Sequence, residues 1–66
     1  MGRRQLRETT DYGDDPHALL NKAIRSMQED EADGLAPYDV TLHLRLSAGK
    51  TMWQMVVRSM SEEVQE

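Results

Sequence analysis

The groups in this 66-residue chain that could carry out chemistry are few and scattered. His17 and His43 could transfer protons or ligate a metal, but they fall on different elements and no cysteine completes a site. Ser47, Ser59 and Ser61 lack the glycine-flanked turn that raises a nucleophilic serine out of its strand. "SAGKT" (Ser47–Thr51) is similar to the end of a phosphate-binding loop. The upstream glycine of that motif is missing, and a chain this short cannot supply the strand–helix frame it needs. The carboxylates gather at a predicted helix end and in the C-terminal tail, as solvated acids do, and little chain is left for a water-excluding cleft. Neither an enzyme, a cofactor nor a bound metal is expected.

What the charged residues can do is attract. Net charge is −4, unevenly spread. Residues 1–10 carry +2, residues 11–39 carry −6, residues 40–60 carry +3 and the tail carries −3. An acidic chain is a poor match for a phosphate backbone, so nucleic acid is not expected as the main partner. Arg3, Arg4 and Arg7 leave a weak basic footprint, enough only for a third reading as a weak DNA binder. Apolar runs are too short for a membrane span or a signal peptide, and a cytoplasmic protein is expected.

The elements that must position these groups make one small domain. A chain of this length buries only about 60% of its unfolded surface, and without cysteine no disulfide or thiolate zinc site supplements the core. Oligomerisation or a tight partner is therefore expected. Residues 1–13, "MGRRQLRETTDYG", show no hydrophobic period and read as a flexible basic arm, leaving 14–66 as the domain. Asp14 or Asp15 is a suitable N-cap, Pro16 a suitable first helical residue, and Gly34 a stop. Leu19, Leu20, Ala23, Ile24 and Met27 recur at helical spacing. An amphipathic helix over about 16–32 is predicted. Its last turn holds Glu29, Asp30, Glu31 and Asp33, where the helix dipole favours cations. Either these acids are merely solvated, or they form an acidic knob that meets a basic surface.

From Tyr38 to Leu46 the chain alternates, with Val40, Leu42, Leu44 and Leu46 on one side and Asp39, Thr41, His43 and Arg45 on the other. Residues 51–64 are ambiguous. As a helix, Thr51 and Gln54 form a capping box and Met52, Met55, Val56, Ser59, Met60 and Val64 a stripe. As a strand after a four-residue loop, Ser47–Lys50, they set Leu44 opposite Trp53, Leu42 opposite Met55 and Val40 opposite Val57. The same register sets Asp39 opposite Arg58. It favours an α+β fold in which the helix packs on a β-hairpin (38–46 and 51–60); helix–strand–helix is the alternative.

In the hairpin, Met52 and Val56 lie on the face away from the core, beside Arg45 and Thr41. An apolar patch with a polar rim marks a protein–protein site. The expected partner-binding residues are Glu29, Asp30, Glu31, Asp33, Asp39, Met52, Trp53, Gln54, Met55 and Val56. Their partner would be a protein with a basic surface or, equally, a second copy forming a homodimer.

"YDVTLHLRLSAGKTMWQ" (Tyr38–Gln54) resembles the first hairpin of the small phage uracil-DNA glycosylase inhibitors. The shared features are the "YDVT" opening, the alternating strand, the "GK" of the turn and an aromatic residue just after it. The resemblance covers about a quarter of the chain. It implies an acidic inhibitor that imitates DNA, with carboxylates in place of phosphates and an apolar pocket for the enzyme's intercalating side chain. This chain departs from the family at Gln54, where an acid is usual, and in having its helix before the hairpin. Equivalent charges would have to come from Asp39, the 29–33 cluster or the C-terminal glutamates. The leading expectation is thus an inhibitor of a DNA-repair glycosylase. Its competitor is a structural or assembly protein that forms a homo-oligomer.

Overall fold

The structure, a computed structural model, describes residues 5–61. Arg3, Arg4 and the glutamates of the expected tail lie outside the described residues. Four elements follow in the order β1 (Leu6–Gly13), α1 (Pro16–Ala32), β2 (Leu35–Ser47) and β3 (Lys50–Ser61). The fold is α+β: α1 packs on a three-stranded antiparallel sheet of order β1-β3-β2. Both β1 and β2 pair antiparallel with β3, so they run parallel to each other with β3 between them.

The helix occupies the predicted residues because its signals are local. The Asp15 side chain accepts a hydrogen bond from the His17 backbone N–H at 3.0 Å, and Pro16 needs no donor partner in the first turn. At the other end Gly34 takes φ +84°, the left-handed conformation that ends a helix.

The hairpin forms in the predicted register. Leu44 faces Trp53, Leu42 faces Met55, Val40 faces Val57 and Asp39 faces Arg58. Lys50–Ser61 is strand, which excludes helix–strand–helix. The loop is shorter than the expected four residues: Ser47 pairs with Lys50, leaving Ala48 and Gly49 as the turn. Their φ values, +52° and +76°, are the positive pair that a right-twisted two-residue hairpin requires. β2 also begins earlier than expected, at Leu35, because a bulge absorbs Tyr38 between the Pro37–Ser59 and Asp39–Arg58 pairs. That extra residue puts Leu35 and Pro37 on the same face as Val40 and Leu42.

Over Leu6–Gly13 the expected flexible arm is replaced by β1; the arm's first four residues lie outside the described residues. Leu6–Gly13 pairs with β3 along its whole length, from Leu6 opposite Met60 to Gly13 opposite Trp53. Its helix-side residues are Arg7, Thr9, Asp11 and Gly13, so no apolar alternation announces the strand. The backbone ladder to β3 holds it, and side-chain pairs tie it to α1: Lys22 Nζ reaches Asp11 at 3.0 Å, and Arg7 reaches the end of α1. Bonding to Lys22, and to the Tyr12 backbone N–H, keeps the Asp11 carboxyl below its ordinary range.

The core lies between α1 and the sheet: Leu19, Ala23, Met55 and Val57 are buried, with Met27, Leu42 and Trp53 packed against them. Burying each large aliphatic side chain contributes about 1.5–3 kcal/mol. Gly13 lies against Leu19 and pairs with Trp53, so the helix begins level with Trp53. Asp30 meets Ser59, so it ends level with that residue. Beyond Trp53 the hairpin runs on to its turn without a helix above it. No helix among the described residues is long and apolar enough to cross a membrane.

Candidate interaction surfaces

The acidic helix end divides in two. Asp30 is 2% exposed, and its carboxylate accepts from Ser59 Oγ at 2.6 Å and from Arg7 Nη1 at 2.8 Å. Ser59 is itself fully buried, so this polar pair sits inside the fold and locks α1 to β3. Arg7 Nη1 also donates to Asp33 at 2.9 Å. Bonding to Asp30 first, and Asp33 second, raises the Arg7 guanidinium above its ordinary pKa. Glu29 and Glu31 are exposed and, among the described residues, enter no ion pair. Of the four acids, then, two are structural and two are displayed.

Asp39 is likewise engaged. It accepts from Arg58 Nη1 at 2.9 Å, while Arg58 Nη2 reaches Glu8 at 3.0 Å. This ion-pair row ties all three strands together on the face away from the helix. The hydrogen bond to Asp39, with the nearby Glu8 charge, raises the pKa of Arg58.

That face also carries Met52, Gln54 and Val56, but the expected apolar patch is only half displayed: Met52 is 43% exposed, whereas Val56 is buried at 8% between the flanking strands. Met52 faces Arg45 and Val56 faces Thr41, as the alternation predicts. Arg45 Nη1 donates to Gln54 Oε1 at 2.9 Å. A shallow cleft of about 290 Å³ lies between Tyr12, Arg45, Ser47 and Met52. Met55 points the other way and is 1% exposed, while Trp53 is half-buried against the core. The structure therefore does not gather the ten predicted site residues into one surface. The displayed acids and the Met52–Trp53 region stand about 20 Å apart, at roughly 3.3 Å per residue along β3.

A third surface lies outside the ten expected site residues. β2 is an edge strand, and the helix-side row of β2 is largely uncovered: Val40, Leu44 and Leu46 are 42%, 55% and 74% exposed. Above it, Leu20 and Ile24 are 44% and 48% exposed. Helical periodicity puts these two on the flank opposite Lys22 and Asp33, which reach β1, and hence on the β2 side. The backbone of this edge is also available. Ser47 and Lys50 flank the turn as a hydrogen-bonded pair, and such pairs alternate along an antiparallel ladder. The N–H and C=O groups of Val40, Leu42, Leu44 and Leu46 therefore point away from β3. The signal lay in the sequence: one helix cannot cover four apolar residues on a strand together with a second strand beside it.

No protein-family model, curated protein or solved structure matches this chain.

Proposed function

We propose that this chain is a non-catalytic protein-binding module whose working surface is the outer edge of β2 with the α1 flank above it. One observation carries the reading: five large apolar side chains stand exposed beside a strand edge with outward backbone donors and acceptors. A long apolar edge is a template for another strand, and strand addition combines backbone affinity with side-chain pockets. A photo-crosslinking side chain placed at Leu46, at Met52 or at Glu31 tests it in cells. Protein adducts from position 46, lost in a Leu44→Lys background, are expected. Adducts only from positions 52 or 31 would refute the edge.

A second reading keeps the DNA-imitating inhibitor of a uracil-DNA glycosylase. It is favoured by a cavity of about 390 Å³ at the helix end, where Glu31 stands beside Gly34, Leu35, Ala36 and Pro37. A carboxylate beside a hollow of mixed polar and apolar lining is part of the chemistry such an inhibitor needs, and it would work in the cytoplasm, a host's if phage-borne. Fewer acids are free to take part than the sequence suggests, since Asp30, Asp33 and Asp39 are bound within the fold. Titrating a purified glycosylase with the chain decides it: unchanged uracil excision at stoichiometric excess removes this reading.

A further inference from the structure

Resting on the edge-binding reading, we infer that the occupant of the β2 edge is a second copy of this chain, paired antiparallel about a two-fold axis at Leu42. The edge is self-complementary in one register. Its usable stretch runs from Tyr38 to Leu46, because Pro37 has no N–H to offer and the turn follows Ser47. The middle residue of that stretch is Leu42, so antiparallel self-pairing with the greatest overlap centres there. In a two-fold contact each residue meets its counterpart reciprocally.

Three features agree with that register. Outward backbone groups meet in facing pairs: Leu42 with the partner copy's Leu42, and Val40 with its Leu44, twice. Two bonds for each pair give about six backbone hydrogen bonds. On the open face the axis sets Asp39 opposite Arg45 of the other copy, again twice. Asp39 remains 44% exposed despite its bond to Arg58, and a carboxylate has lone pairs for a second cation. On the helix side the axis is level with the middle of the exposed Leu20–Ile24 flank, so the two flanks face each other across the seam. They close over Val40 and Leu44 of both copies, the apolar surface that the single chain leaves uncovered. The product is a continuous six-stranded sheet with both helices on one side, in which β1 forms the outer edges.

Neighbouring registers do worse. Centring on His43 sets histidine against histidine and leaves Asp39 opposite Ser47.

The test is sedimentation equilibrium of the full chain, together with cysteine coupling, since the chain has no cysteine of its own. A dimer is expected. Leu44→Lys should make it monomeric with an unchanged circular dichroism spectrum, because Leu44 is exposed in the single chain. Arg45→Glu, which sets two carboxylates opposite each other at both symmetric contacts, should weaken it by about tenfold. Thr41 and His43 face each other across the proposed seam as a non-hydrogen-bonded pair, with Cα atoms about 4.5 Å apart, within disulfide reach. Oxidising a mixture of Thr41→Cys and His43→Cys chains should therefore give the mixed disulfide, with little coupling of either variant to itself. Self-coupling of His43→Cys without the mixed product would overturn the register. A monomer at every concentration would overturn the second copy as occupant. Adducts from position 46 to a different protein would still leave the edge-binding reading standing.

Discussion

A carboxylate in the last turn of a helix opposes the helix dipole, and a buried one costs several kcal/mol unless it is paired. Asp30 bears both costs and is held by two partners, Arg7 from β1 and the buried Ser59 hydroxyl from β3. Removing it strands that hydroxyl and loosens three elements at once. Asp30→Ala should destabilise the chain by about 2 kcal/mol in urea denaturation. Glu31→Ala, which removes an exposed acid from the same turn, should change stability little or raise it by a few tenths of a kcal/mol. Equal effects from the two substitutions would contradict the burial of Asp30. The sequence shows Asp30 as one of four acids, although its spacing from Leu19, Ala23 and Met27 places it on the apolar stripe. Its partners were not legible, because they come from 23 and 29 residues away.

Elements whose signals are local were readable, and one whose signals are distant was not. Asp15, Pro16 and Gly34 punctuate α1 within the helix's own residues. The β2–β3 register follows from matching an alternating strand to its neighbour, so the Asp39–Arg58 pair is legible in the sequence. β1 escaped notice because Arg7 and Asp11 stabilise it through side chains of α1 rather than through apolar burial. The turn was legible only in part: the glycine was clear, the residue beside it was not. Ala48 has a side chain yet sits at φ +52°, which costs an L-residue about 1–2 kcal/mol and suits Asn or Gly better. Ala48→Asn should raise stability by about 1 kcal/mol in thermal unfolding. Gly49→Ala should lower it by a similar amount through backbone conformation alone, since nothing lies within 4 Å of a Cβ there. A loss of stability in Ala48→Asn would mean that the turn adopts another geometry.

At the scale of the whole molecule, a long hairpin lies under a short helix. Seventeen helical residues span about 25 Å, whereas the twelve and thirteen residues of β3 and β2 span about 40 Å. The helix therefore covers the half of the sheet that holds Met55, Val57 and Ser59, and leaves Leu44 and Leu46 outside. A single copy has few buried side chains for the conformational entropy it must lose, and the proposed association through β2 would add to the core where it is thinnest. Mass action then links stability to concentration. For a dimer that dissociates on unfolding, each tenfold increase in concentration contributes about 1.4 kcal/mol per dimer, or about 0.7 kcal/mol per chain. That corresponds to a rise of roughly 3–6 °C in the unfolding midpoint for a domain this small. Trp53, the one tryptophan, is half-buried beside Leu44 and Gly13 and reports the transition by its fluorescence. Leu44→Lys should unfold at a lower midpoint that no longer moves with concentration, because it blocks the seam while leaving the covered half of the sheet intact. A midpoint that stays fixed in the unaltered chain over several decades of concentration would show that the covered half alone sustains the fold.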